Sequence, residues 1–309
     1  MLQRPRGSNS MSTKRLTAFG ECMIEFSRGE DARTWTRKFA GDTFNTAWYF
    51  RRSAPQGWAT SYFTAVGDDA PSRDLMRFIE ENGIDTDFIR PIANASPGLY
   101  LIELEGAERH FSYWRDQSAA RRLAENRDHL ARAMATSDIV YFSGITLAIL
   151  PEDDRAAFVA ALAQARREGR TVAFDPNIRL RLWPDSQTMA RAISEAAAAA
   201  SIVFPTFPDE QDVFGDADPA SCAERYRRLG ADVVIVKNGE YPCLGVSSGE
   251  EVAVDAVSVP RPVDTTGAGD SFNGAFLAAM AAGAGLAESI TAGHKTAAHT
   301  IGGRGALVV

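Results

Sequence analysis

Residues 263–283, VDTTGAGDSFNGAFLAAMAAG, place a polar, glycine-rich turn directly before an apolar helix. Gly267 and Gly269 free the backbone for conformations that a side chain would obstruct. The N–H groups of the turn and the positive end of the helix dipole together make a site for an anion. A carboxylate repels phosphate, so Asp270 is a poor choice in such a site unless it accepts a proton. It can take one from an attacking hydroxyl while the N–H groups of Gly267, Ala268 and Gly269 stabilise charge on a transferred phosphoryl group. A bare GxGD would equally suit an N-cap after a turn. The eleven-residue string DTTGAGDSFNG favours phosphoryl transfer.

Such a turn needs a scaffold, and the chain alternates short apolar runs with longer amphipathic ones. DIVYFSG (138–144), TVAFD (171–175), SIVFP and DVVIVK (232–237) read as buried strands. Residues 151–168, 188–200 and 219–229 read as the helices between them, the first opened by acidic residues and stopped by Gly169. Continuously apolar strands alternating with helices imply a parallel sheet covered on both faces. Ligands bind beyond the carboxyl ends of such strands. Here those ends carry Asp175-Pro176-Asn177, Pro205-Thr206 and Lys237-Asn238-Gly239. Residues 22–40 and 97–116 break the pattern with strand-like alternation and aromatics. GLYLIELEG and ERHFSYWR read as a hairpin with Gly106 near its turn. This small sheet is either a lid over the site or a plain edge hairpin.

Bulk properties narrow the partners. A formal net charge of −7 in 309 residues leaves no basic surplus for a nucleic acid backbone. Cys22, Cys222 and Cys243 are widely spaced and odd in number, which disfavours a disulfide framework or a zinc site. No apolar run reaches membrane-spanning length, and a cytoplasmic setting is expected. Residues 1–15 are polar and basic and are expected to form a disordered tail, with one catalytic unit over 16–309. The region around Phe19-Gly20-Glu21 lacks the GxGxxG of a nicotinamide-dependent dehydrogenase.

The string DTTGAGDSFNG resembles the signature of the ribokinase-like sugar kinases, or phosphofructokinase B family. The near-pair Ala40-Gly41-Asp42-Thr43-Phe44-Asn45 matches that family's N-terminal signature, and the likeness runs from Leu16 to the end. The resemblance implies a three-layer α/β/α domain with a mostly parallel sheet and a small β-sheet lid. It also implies ATP as donor, Mg²⁺ as helper and Asp270 as base. For the nucleotide it points to Asn177, Arg179, Lys237, Asn238, Gly239, Gly267, Gly269 and His294. Thr206 and Asp209 stand at the family's Asn-x-x-Glu positions, so Asp209 is expected to act on the metal through water. Asp264 and Thr266 are candidates for a monovalent cation.

Further stretches are similar to the branch that phosphorylates the C6 hydroxyl of 2-dehydro-3-deoxy-D-gluconate. They are the Gly20-Glu21 region, Pro97-Gly98-Leu99-Tyr100, Tyr113-Trp114-Arg115, SGITLAIL and FDPNIRLRLW. A carboxylate substrate wants a planar cationic fork, which Arg115 and Arg179 offer. Gly41, Asn45, Tyr100, Tyr113 and Asp270 complete the expected acceptor site, with Arg179 favoured over Arg181 and Trp114 pointing away. A neutral sugar such as fructose or ribose, or a non-catalytic sensor, remains open. An exposed lid sheet suggests a homodimer.

Overall fold

A computed structural model describes residues 13–29, 31, 33–105 and 108–309. The first twelve residues and the expected hairpin turn at Gly106 lie outside the described residues. Among the described residues thirteen strands follow in chain order: β1 Lys14–Phe19, β2 Met23–Arg28, β3 Trp35–Ala40, β4 Trp58–Val66, β5 Ile89–Pro91, β6 Leu99–Glu105 and β7 Glu108–Trp114. Then come β8 Ile139–Ser143, β9 Thr171–Asp175, β10 Ile202–Val203, β11 Val233–Val236, β12 Cys243–Ser247 and β13 Glu250–Val254. β1 begins at Lys14, so the tail boundary expected after residue 15 falls inside a strand.

Nine strands form one sheet in the order β13-β12-β11-β10-β9-β8-β1-β4-β5. Every pairing from β11 to β5 is parallel; β12 and β13 add an antiparallel edge. Both faces are buried, which explains why these strands read as unbroken apolar runs. Successive residues alternate between two cores: Val140 and Phe142 of β8 pack with helices Glu152–Arg167, Ser186–Ala199 and Pro219–Leu229. Ile139 and Tyr141 pack with helices Asp42–Ser53, Ala70–Glu81, Ala268–Ala281 and Leu286–Ile301. The result is the expected three-layer arrangement. Expected helix bounds hold to within two residues, and side-chain caps at Asp185 and Asp218 fix two of the starts.

The second sheet has the order β3-β2-β6-β7. Its β6–β7 hairpin sets Tyr100 opposite Tyr113, with the rings stacked 5.6 Å apart. Trp114, one residue on, is 57% exposed and faces away from Tyr113, as strand alternation requires.

Helices Asp42–Ser53 and Ala268–Ala281 cross in close contact at Gly274. A Cβ there would lie 2.6 Å from the carbonyl oxygen of Thr46. The glycine that ends the DTTGAGDSFNG string therefore lets the helix bearing Asp270 dock on the helix bearing Asn45.

Candidate active site

A cavity of about 720 Å³ opens between the lid sheet and the carboxyl ends of the parallel strands. The residues just beyond β1, β8, β9 and β11 all reach it, as Glu21, Ile145, Asn177 and Lys237. Thr206, bridged to Lys237, borders it beyond β10.

The glycine turn forms one wall. Gly267 caps helix Ala268–Ala281 at φ 77°, a conformation that favours glycine, and a Cβ on it would lie 2.8 Å from the carbonyl oxygen of Ala306. Asp264 ties the turn to the C-terminal segment. Its Oδ1 accepts from the Thr266 N–H at 3.0 Å and its Oδ2 from the Gly305 N–H at 2.6 Å. Of the three N–H groups expected to face an anion, that of Ala268 already donates to the Thr265 carbonyl at 3.2 Å. Among the described residues those of Gly267 and Gly269 meet no acceptor.

Asp270 sits in the first turn of this helix. Its Oδ2 accepts from Asn45 Nδ2 at 2.8 Å, while Asn45 Oδ1 accepts the Gly41 N–H at 3.4 Å. One amide thus joins the two signature segments. Burial, and after it the charge of nearby Asp42, push the Asp270 carboxyl up to about 8 against the opposing effects of the Asn45 bond and Lys237. Asp42 lines the cavity and was not singled out from sequence. Gly41 does permit a close approach, but to the protein's own chain: a Cβ there would lie 2.0 Å from the Glu21 carbonyl oxygen.

Two more carboxylates are held by Asn177. It adopts φ 34°, rare for a residue with a side chain and best tolerated by Asn. Its N–H donates to Asp175 Oδ1 at 2.9 Å and its Nδ2 to Asp42 Oδ2 at 2.8 Å. Asp209 lies in the first turn of helix Phe207–Phe214, beside Thr206. Burial raises its carboxyl above the ordinary range, and Arg179 Nη1 stands 3.8 Å from its Oδ2. A partly exposed oxygen donor with so long an ion pair suits a hydrated divalent cation.

The lid supplies Tyr100, Tyr113 and Arg115 to the cavity, as expected. Arg115 is 7% exposed and ion-paired with Glu21, a cavity acid in the Gly20-Glu21 stretch to which the sequence assigns no role of its own. Tyr100 donates its hydroxyl to Glu25. Arg179 and Arg181 both line the cavity. The chain between them turns through the short 3₁₀ helix Leu180–Leu182. Arg181 Nη2 donates to the Tyr113 hydroxyl at 2.7 Å and its guanidinium covers that ring at 4.4 Å.

Three residues expected at the nucleotide do not line this cavity. Asn238 and Gly239 form the tight turn that carries the chain from β11 into β12, closed by the Tyr241 N–H on the Asn238 carbonyl. His294 is buried against the edge of Phe272, and burial pulls its imidazole below the ordinary range. Elsewhere Glu210, Asp216 and Cys222 cluster with metal-like spacing, but Arg225 donates to both carboxylates and fills the place of an ion. No helix among the described residues is long and apolar enough to cross a membrane.

Comparison with known proteins agrees with this geometry. Residues 13–308 match the model of the pfkB family carbohydrate kinases. A 2-dehydro-3-deoxygluconokinase of Dickeya dadantii (strain 3937) is 38% identical over 306 residues, covering 96% of this chain and 98% of that protein. Among solved structures, a PfkB protein from Polaromonas sp. JS666 superposes with a TM-score of 0.84 at 25% identity, covering 94% of this chain and 96% of the other. A fructokinase with bound ATP from Xylella fastidiosa gives a TM-score of 0.82 at 20% identity over 95% and 94%.

Proposed function

We propose that this chain, which belongs to the pfkB family of carbohydrate kinases, transfers the γ-phosphoryl group of ATP to the C6 hydroxyl of 2-dehydro-3-deoxy-D-gluconate. The observation that carries the proposal is the half-buried Asp270 carboxylate on the cavity wall, held by Asn45 beside an open glycine turn and faced by arginines. The sugar acid enters between lid and sheet edge. Its carboxylate is drawn to the guanidinium groups of Arg115 and Arg179, with the Tyr100 and Tyr113 rings as walls and Gly41 and Asn45 at the reacting end. Lid contacts exclude water, which would otherwise compete as acceptor. Asp270 takes the hydroxyl proton as the oxygen attacks phosphorus in line. The N–H groups of Gly267 and Gly269, with the helix dipole behind them, meet the charge that develops. Lys237, Asn177 and Arg179 face the phosphate side. Mg²⁺, held through water by Asp209, would neutralise phosphate charge. The exposed Trp35 and Trp114 of the lid sheet support a homodimer.

A coupled assay with ATP and a panel of sugar acids and neutral sugars tests the assignment. Preference for the keto-deoxy acid is expected; faster turnover of fructose or ribose would replace it with the neutral-sugar reading.

The proton acceptor also sets a pH dependence. A base must be ionised, so kcat/KM of the free enzyme is expected to rise with pH through about 8. Asp42→Asn removes a neighbouring charge that favours the protonated form, so the rise moves to lower pH. A pH–rate profile unmoved by Asp42→Asn would show that Asp270 is not the group being titrated.

A further inference from the structure

The end of the signature string carries one polar side chain that the mechanism above leaves unused. Asn273 lies three residues after Asp270 on helix Ala268–Ala281 and is fully buried. A buried amide is costly unless its groups are bonded, and those of Asn273 are. Its Nδ2 donates to Asp175 Oδ2 at 2.6 Å and to the Tyr141 hydroxyl at 3.0 Å. Its Oδ1 accepts from Lys237 Nζ at 3.4 Å, and the same ammonium donates to Asp175 Oδ2 at 2.8 Å.

An ammonium has three donors, and two of these are directed at Asp175 and Asn273. What lies on its other side is the glycine turn. A Cβ built on Gly269 would stand 3.4 Å from Lys237 Nζ with nothing else within 4 Å. A gap bordered by Gly269 and the ammonium is thus open on the cavity wall. The frame continues on the far side of Asn273. The Tyr141 hydroxyl lies 3.1 Å from Thr46 Oγ1, which also donates to the Asp270 carbonyl at 3.2 Å.

We infer that Asn273 is a positioning residue for phosphoryl transfer: it holds the Lys237 ammonium against the glycine turn, where charge develops on the transferring group. The inference rests on the kinase reading given above. A lysine free to sweep its rotamers would have to be ordered in each turnover; one fixed beforehand stabilises the transition state without that cost. Asp175 alone would leave the ammonium free to swing about a single bond, and Asn273 supplies the second anchor.

A double-mutant cycle tests this on the full chain, with turnover of the keto-deoxy acid, ATP affinity by calorimetry and thermal melting measured for each variant. Lys237→Met is expected to lower kcat about 100-fold and Asn273→Ala about tenfold, with ATP affinity falling far less than kcat in each. The double variant is expected to be no slower than Lys237→Met alone, because Asn273 acts through the lysine. Losses that multiply in the double variant, an Asn273→Ala enzyme with normal kcat, or a fall in ATP affinity that matches the fall in kcat would each overturn the proposal. Asn273→Leu, close in volume, serves in the same cycle where the alanine variant does not fold. Absence of phosphorylation by the unaltered protein would overturn the kinase reading and this inference with it; multiplicative losses in an active enzyme overturn the inference alone.

Discussion

Replacing Asp270 with alanine is expected to cut turnover by about 10²–10⁴-fold, the usual worth of a positioned general base, while ATP still binds. Asp270 is half-buried on the cavity wall, held on Oδ2 by Asn45, and sits one residue past a glycine with an open N–H. Its carboxylate contributes nothing to holding phosphate and, when ionised, repels it. Calorimetry should therefore find ATP affinity unchanged or higher in the variant, and single-turnover measurement should find the chemical step slowed. The same substitution frees Asn45 Nδ2, whose other amide atom only touches the Gly41 N–H at 3.4 Å. Asp270→Asn keeps the volume and separates loss of the proton acceptor from loss of the contact. Near-normal turnover in both variants would remove Asp270 from the chemistry and leave it as a helix-terminal acid.

The fold was largely legible because it rests on local patterns. Apolar runs at β8, β9 and β11 and the caps at Asp185 and Asp218 are readable residue by residue. The glycine turn was legible for the same reason: Gly267, Gly269 and Asp270 are neighbours in sequence. What could not be read was pairing across the chain. The Glu21–Arg115 pair spans 94 positions and the Lys237–Asn273 contact 36, and neither leaves a periodic trace. Asp42 lay inside a recognised segment, yet its effect on Asp270 depends on a helix crossing more than two hundred residues away in sequence. Arg179 was favoured over Arg181 by motif likeness, which carries no information on the 3₁₀ turn that brings Arg181 to the Tyr113 hydroxyl. His294, Asn238 and Gly239 were placed by likeness, and the burial of one and the turn geometry of the others take them off the cavity wall.

The Glu21–Arg115 pair also changes what a test of acid recognition must look like. Arg115→Ala is expected to raise KM for the sugar acid while leaving KM for ATP alone, if Arg115 meets the substrate carboxylate. But the pair is buried, with 1% and 8% of the two side chains exposed, and removing one member strands the other. Breaking a buried pair costs about 3–5 kcal/mol, so the single variant should also melt earlier by on the order of 10 °C. A rise in KM measured on such a protein would not distinguish recognition from damage. The informative variant is Glu21→Gln with Arg115→Met, which removes both charges and keeps the volume. Its stability should return close to that of the parent, since neither charge is left unpaired. If Arg115 holds the carboxylate, the acid's KM in the double variant should still be raised, by about 10- to 100-fold for one lost charged hydrogen-bond pair. Should KM instead recover with stability, Glu21 has already neutralised Arg115. Recognition of the acid would then fall to Arg179 and Arg181, which share the same cavity wall and lack a buried acid of their own.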